Sequence, residues 1–436
     1  MPEKKPETDI DTQVVHAGER KTMPPGQPTS MPVYSSVTYA YDSMAEMDRV
    51  FAGQAPGYVY TRHGNPTTDA LADVLCEIES GATACVYASG MAALHAALLT
   101  CGVSAGTTVL ASQDLYGATT NLLHSIFGNL GVKTVTADFS DLGQVRALAK
   151  ETKPRVLLAE TISNPLLKVC DIGACAEIAR EAGARLIIDN TFASPCLCQP
   201  LKHGADIVVH SATKFLGGHA DAMGGVAISQ HEVDGDSLVR VMKYVGGVLS
   251  PWDAHEILRG IKTLAVRMER HCENASAVVA WFSKDARVAR VHYPGMEGTD
   301  VSGVQHAGTE GTHASGVQHA GRHASGEVAN RILRSPYFGA LVSIELKDNS
   351  REAAFRFMDA LRLCVRSTSL GDVFTSVLHP ATASHRDLDP PRRDALGITE
   401  GLIRMSVGIE NVNDIIADIE QALNAVSVPG AVATGS

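Results

Sequence analysis

Between residues 66 and 265, short apolar runs alternate with longer stretches in which Ala, Leu and Glu follow a helical period. The runs predict strands over Thr107–Ala111, Lys133–Ala137, Arg155–Ala159, Leu186–Asp189, Ile207–His210 and Gly225–Ile228. Strands that are apolar throughout, each followed by a helix, belong in a parallel sheet buried on both faces. Residues 257–283 read as one long helix leading out of this region. Beyond it the pattern gives a strand at Ala340–Leu346, a helix at Arg351–Leu361, a strand at Leu402–Gly408 and a helix at Val412–Ala425. That sequence of elements suits a smaller α+β unit. The first 65 residues are rich in Pro, Thr, Ser and Tyr with little helical period, and read as an extended arm. A chain of 436 residues is too long for one core. The expected organisation is therefore an α/β chain with an arm at 1–65, a large unit at 66–265 and a smaller one at 266–436.

One stretch breaks the pattern. Ser302–Gly308 recurs letter for letter as Ser315–Gly321, and His-Ala-Ser-Gly occurs at both His313 and His323. With almost no core-forming residues, the tract near 297–326 is expected to be a surface insertion. Its histidines (His306, His313, His319, His323) come without cysteine partners or an ordered scaffold, so no metal site is assigned to them.

Charge and cysteine content narrow the partners. Thirty-seven basic against 48 acidic residues leave a net charge of −11, which argues against nucleic acid or an anionic membrane. No apolar run reaches the length of a membrane span and the first residues lack a signal-peptide core, so a cytoplasmic protein is expected. Nine scattered cysteines, an odd number with no Cys-x-x-Cys, indicate neither a disulfide framework nor structural zinc.

The candidate chemistry collects where apolar runs end. Asp206-Ile-Val-Val-His-Ser-Ala-Thr-Lys214 delivers Ser211, Thr213 and Lys214 to one loop, and Arg185-Leu-Ile-Ile-Asp189 delivers a carboxylate in the same way. A lone lysine after a strand is ordinarily a solvated charge. Here it has company: Ser89-Gly90-Met91 opens an Ala/Leu-rich helix, whose free N-terminal amides suit a phosphate, and Tyr116 supplies an aromatic in a nearby loop. A lysine able to form a Schiff base, an aspartate able to pair with a pyridinium nitrogen, and a small-residue phosphate cradle together describe a pyridoxal 5′-phosphate site.

Eight segments carry a resemblance: Tyr60-Thr-Arg62-His-Gly-Asn-Pro-Thr, Ser89-Gly-Met91, Asp114-Leu-Tyr116-Gly, Glu160-Thr-Ile-Ser-Asn164-Pro, Asp189-Asn-Thr-Phe, Ser211-Ala-Thr-Lys214, Leu258-Arg-Gly-Ile-Lys-Thr-Leu264 and Leu402-Ile-Arg404-Met-Ser-Val-Gly. In order and spacing, from about Thr12 to Leu423, the chain resembles the Cys/Met-metabolism family of pyridoxal-phosphate enzymes. The resemblance implies the fold type I transferase architecture, a large mostly parallel sheet plus a smaller C-terminal α+β unit. It implies that Lys214 binds the cofactor and moves protons, Asp189 keeps the pyridine nitrogen protonated, and Tyr116 stacks on the ring and serves as acid/base at the leaving group. Gly90, Met91, Ser211 and Thr213 would hold the phosphate, joined by Tyr60 and Arg62 from a neighbouring subunit of a homotetramer built as a dimer of dimers. Arg404 would clamp the substrate carboxylate, with Asn164 and Ser369 beside it.

The family's reactions share these residues and begin alike. Members acting on cystathionine tend to carry Glu just before the Ser-Leu-Gly motif, where this chain has Thr368, so a substrate with a neutral tail is expected. The leading expectation is γ-elimination from methionine or a related amino acid to 2-oxobutyrate, ammonia and a thiol. Two departures from methionine γ-lyases keep alternatives in view: Ala118 replaces a cysteine two residues after the stacking tyrosine, and Met242-Lys-Tyr244 replaces a Lys-Asp pair. The alternatives are γ-replacement on O-acetyl- or O-succinylhomoserine, by a sulfhydrylase or cystathionine γ-synthase, and cystathionine γ- or β-lysis. A non-catalytic scaffold would predict loss of the lysine, the aspartate or the clamp, and all three are present.

Overall fold

In the computed structural model, residues 8–16, 28–294 and 324–426 are described. Seven strands form the larger sheet: β1 (Thr83–Tyr87), β2 (Thr108–Ser112), β3 (Lys133–Ala137), β4 (Val156–Glu160), β5 (Arg185–Asp189), β6 (Ile207–Ser211) and β7 (Gly225–Ser229). Their order is β1-β7-β6-β5-β4-β2-β3. Only β7 runs antiparallel to its neighbours, β1 and β6. The predicted strands coincide with β2–β7 to within a residue at each end; β2 and β4–β7 are largely buried and leave an apolar run, while the half-exposed edge strand β3 shows only its β-branched Thr134-Val-Thr136.

Helices cover both faces. Two lie before the sheet, α1 (Ile10–His16) and α2 (Met44–Phe51). α3 (Pro66–Ile78) begins on an Asn65 side chain that accepts the Thr67 N–H, and it buries Leu71, Val74, Leu75 and Ile78 at helical spacing. α4 (Gly90–Thr100) packs on the opposite face with Ala93, Leu94, Ala97 and Leu98. It is apolar nearly all round and none of its residues is fully exposed.

The second sheet, of β8 (Val288–His292), β9 (Leu341–Leu346), β10 (Val365–Arg366), β11 (Ser376–Leu378) and β12 (Leu402–Ser406), has the order β10-β11-β12-β9-β8. It has its own core, with Phe282, Ile344, Phe357, Ile403 and Ile419. β10 and β11 escape the sequence pattern because they are short, and β8 (Val-Ala-Arg-Val-His) because Arg290 and His292 interrupt its apolar residues.

Two expectations need correction. The long helix over 257–283 is two helices, Pro251–Ile261 and Leu264–Phe282. At the break, Arg267 Nη2 donates to Gly260 O at 2.8 Å, a carbonyl that a continuous helix would have paired with a backbone N–H, and its Nε donates to the Thr263 side chain at 3.1 Å. The apolar period runs through the break, so periodicity could not see it. The N-terminal arm also holds α1 and α2. In α2 the Ser43 side chain accepts the Glu46 N–H, the start of a capping box that sequence reading passed over. The repeat tract's core, residues 295–323, lies outside the described residues. Among the described residues no helix is long and apolar enough to cross a membrane.

Candidate active site

β4, β5 and β6 are adjacent and parallel, so Glu160, Asp189 and the Ser211–Lys214 turn emerge at the same edge of the sheet. Asp189 is enclosed, and burial raises its carboxyl above the ordinary value against the pull of Thr191. Thr191 donates to Asp189 Oδ1 twice, from its hydroxyl at 2.5 Å and its backbone N–H at 3.0 Å. The same hydroxyl accepts the Ser211 N–H at 2.9 Å, tying the end of β6 to the aspartate. Both bonds use Oδ1, which leaves Oδ2 for a donor from outside the chain.

The turn after β6 is pinned to β7: Ala212 N donates to Gly224 O at 2.9 Å, and Gly224 N donates to Thr213 Oγ1 at 3.1 Å. This projects Lys214 to Ser369, whose Oγ accepts from Nζ at 3.1 Å. Burial lowers the affinity of the Lys214 amine for a proton, Arg404 pushes in the same direction, and Asp372 opposes both.

Gly90 is where the sheet meets α4. A Cβ there would lie 2.8 Å from Ser211 Cβ, and one on Gly225 would lie 2.2 Å from Ser89 O. Only glycines let the helix N-terminus approach the end of β6 so closely. Gly90, Met91, Ser211 and Thr213 are thereby gathered around the first turn of α4, where Ser89 caps by accepting the Ala92 N–H. The arrangement is a short-residue cradle with free amides, suited to a phosphate.

Arg404, on β12, is 2% exposed, and burial lowers its guanidinium to about 10. Its Nη1 donates to Asn164 Oδ1 at 2.9 Å and its Nη2 reaches Ser369 O at 3.4 Å, while Nε is buried without a partner. A buried guanidinium with an unused donor calls for an anion, and a carboxylate matches its fork. Phe192 lies under it at 5.9 Å.

Tyr116 is 43% exposed at the mouth of this cluster. Its backbone N–H donates to Glu160 Oε1 at 2.6 Å. Burial and the neighbouring Asp189 push the Glu160 carboxyl well above the ordinary range. Thr191, Glu160 and Asp372 were not among the predicted site residues. Their signal was present, since Glu160 and Thr191 stand inside quoted motifs and Asp372 directly follows Ser369-Leu-Gly, but only packing shows what each one touches.

Ten of the twelve predicted residues are thus placed at one edge of the large sheet and the facing β12. Tyr60 and Arg62 are placed elsewhere in the single chain. Arg62 stacks over the Tyr60 ring at 5.3 Å and donates from Nη1 to Lys243 O at 2.8 Å.

The glycine cradle, the free Oδ2 of Asp189, the lysine and the orphaned Arg404 donor fit pyridoxal 5′-phosphate carrying an amino acid. Fold and site define a fold type I pyridoxal-phosphate enzyme. The sequence pattern of the Cys/Met metabolism PLP-dependent enzymes matches residues 11–424, and the chain belongs to that family. It is 39% identical over 420 residues to an L-methionine gamma-lyase of Fusobacterium nucleatum subsp. polymorphum, covering 96% of this chain and 98% of the relative. It is 36% identical to an O-acetyl-L-homoserine sulfhydrylase of Leptospira meyeri, covering 95% and 97%. The solved structure of cystathionine gamma synthase from Xanthomonas oryzae pv. oryzae, in complex with aminoacrylate and cysteine, superposes with a TM-score of 0.84 at 32% identity, covering 96% of this chain and 99% of that one. The protein is a PLP-dependent enzyme of sulfur amino-acid metabolism.

Proposed function

We propose that the chain catalyses γ-elimination from methionine or a close analogue: methionine and water give 2-oxobutyrate, ammonia and methanethiol. The observation that carries this reading is the uncharged Thr368 next to Ser369, which meets both Lys214 and Arg404. A neutral side chain there suits a substrate with a neutral tail. The identity to methionine gamma-lyases supports the same reading.

When bound, pyridoxal 5′-phosphate supplies a sink for the electrons left behind at Cα and Cβ. The chain's residues supply the rest. Arg404 and Asn164 fix the substrate carboxylate, which presents the Cα–H to Lys214. Lys214 Nζ takes that proton and returns one, and burial beside Arg404 lowers its proton affinity in the direction a base needs. The Tyr116 hydroxyl, at the exposed mouth, delivers a proton to the departing sulfur. Asp189, whose Oδ1 is taken by Thr191, would hold the proton on the pyridine nitrogen.

Product analysis tests the reaction. The purified holoenzyme is given methionine, cystathionine, O-acetylhomoserine and O-succinylhomoserine, each with and without added thiol. 2-Oxobutyrate from methionine without thiol is expected. Reaction of acylhomoserines alone, with thioether formed when thiol is added, would assign γ-replacement instead, the reading favoured by Ala118 and by the sulfhydrylase relative.

The same proposal makes the enzyme a homotetramer of two dimers in which Tyr60 and Arg62 complete a neighbour's phosphate site. It is supported by α2, which buries none of its own residues and exposes Met44 and Phe51. Nine free cysteines suit a reducing cytoplasm.

A further inference from the structure

Asp372 is 1% exposed, yet neither of its carboxylate oxygens has a hydrogen-bond partner. A buried carboxylate without one costs stability unless it faces positive charge. The loop that carries it is locked against the Lys214 turn. Gly371, at φ +81°, comes so close that a Cβ there would lie 2.6 Å from Phe215 N. Gly371 N donates to Ser406 Oγ at 2.9 Å, and Val373 N donates to Gly218 O at 3.0 Å. Asp372, between these two anchors, has no freedom to swing away.

The groups around it are basic. Lys214 and His219 face it from the segment after β6, and Arg267 faces it from the helix Leu264–Phe282. Ser369 Oγ and the Ala220 N–H lie nearby, outside hydrogen-bonding geometry. Arg267 is committed to carbonyls, donating to Phe215 O and Gly260 O at 2.8 Å each. Lys214 also faces Arg404 from β12. A catalytic amine set between burial and a guanidinium readily loses its proton, which suits a base but not an acid.

We propose that Asp372 is a positioning residue acting through Lys214, its carboxylate the counter-charge that lets Nζ hold the proton taken from substrate until it is delivered. This rests on Lys214 being the cofactor lysine. Borohydride reduction of the holoenzyme followed by peptide mapping checks that separately, since a pyridoxyl group on another lysine would sink the Lys214 assignment whatever Asp372 does.

The test is Asp372→Asn, which keeps shape and removes charge. In the full-length protein stripped of cofactor, the pH midpoint for acetylation of Lys214 by acetic anhydride is read by mass spectrometry. Removing the carboxylate is expected to move that midpoint down by roughly one pH unit. In the loaded enzyme, both limbs of the kcat profile should move the same way. Asp372→Glu should restore the midpoint. A structural role alone would lower the kcat plateau and leave the midpoints in place, and that result overturns the proposal. If Asp372→Asn does not fold, the measurement passes to Asp372→Ser. Failure of both to fold would assign the aspartate to structure and equally overturn it.

Discussion

In the proposed mechanism Lys214 and Arg404 divide the work between chemistry and recognition, so their replacement should fail differently. Lys214→Ala is expected to remove the visible absorption of the lysine-bound cofactor and to cut turnover by at least ~10³-fold, since the base and the attachment point go together. A retained band in the absorption spectrum would refute the assignment. Arg404→Ala should leave that band intact and weaken substrate binding by about 100-fold, the value of one buried charged hydrogen-bond partner at roughly 2.7 kcal/mol. Loss of cofactor instead would place Arg404 in the phosphate site. Glu160 offers a prediction in pH. Its folded-state carboxyl is raised, first by burial and then by Asp189, so the folded chain favours the protonated form. Stability from this group is therefore undiminished below the ordinary glutamate value of 4.5 and falls as pH rises above it towards the raised folded value. Glu160→Gln should match wild-type stability at pH 4 and exceed it increasingly through the neutral range, in denaturant melts of the cofactor-free protein. An unchanged difference across pH would show that the Glu160 carboxyl titrates alike in the folded and unfolded chain, against the raised value.

At the scale of elements, the proposed phosphate cradle depends on one close approach, the N-terminus of α4 against the end of β6. Gly90→Ala would gain about 1 kcal/mol of helix propensity in isolation. Here the added methyl would press on Ser211 Cβ and Cα, at 2.8 and 2.9 Å, and must shift the helix or the turn. The expected outcome is a folded protein whose affinity for pyridoxal 5′-phosphate, read by absorbance titration, falls at least ~10-fold. Wild-type affinity would show that the phosphate sits elsewhere. The elements also mark how far local pattern reaches. Strands buried on both faces announce themselves as apolar runs, so β2 and β4–β7 were legible, and the half-exposed edge strand β3 was legible from its β-branched residues. The break at Lys262–Thr263 was not, because the hydrophobic period is undisturbed and the carbonyl it frees is met by an arginine from the next turn.

For the whole molecule, the position of Arg62 is the informative feature: in the single chain it is bonded to Lys243 O rather than to any residue of the Lys214 cluster. If it serves a neighbour's site, mixing Lys214→Ala and Arg62→Ala chains by joint refolding should regain activity that neither has alone, since some mixed pairs contain one undamaged site. No recovery, with mixed oligomers verified by mass, would confine each site to its own chain. By itself the amino-acid sequence determined the strand and helix alternation, the lysine, aspartate, tyrosine and arginine of the site, and through their spacing the family, because these depend on residue type and local order. Tertiary structure alone decided that Glu160 holds the Tyr116 backbone, that Thr191 links β6 to Asp189, that Arg404 keeps a spare donor, and that Asp372 is buried on a loop packed against the Lys214 turn. Each of these rests on contacts across strands or between the two sheets, where burial sets the charge and the cost of every unpaired polar atom, and no local pattern encodes which distant groups will meet.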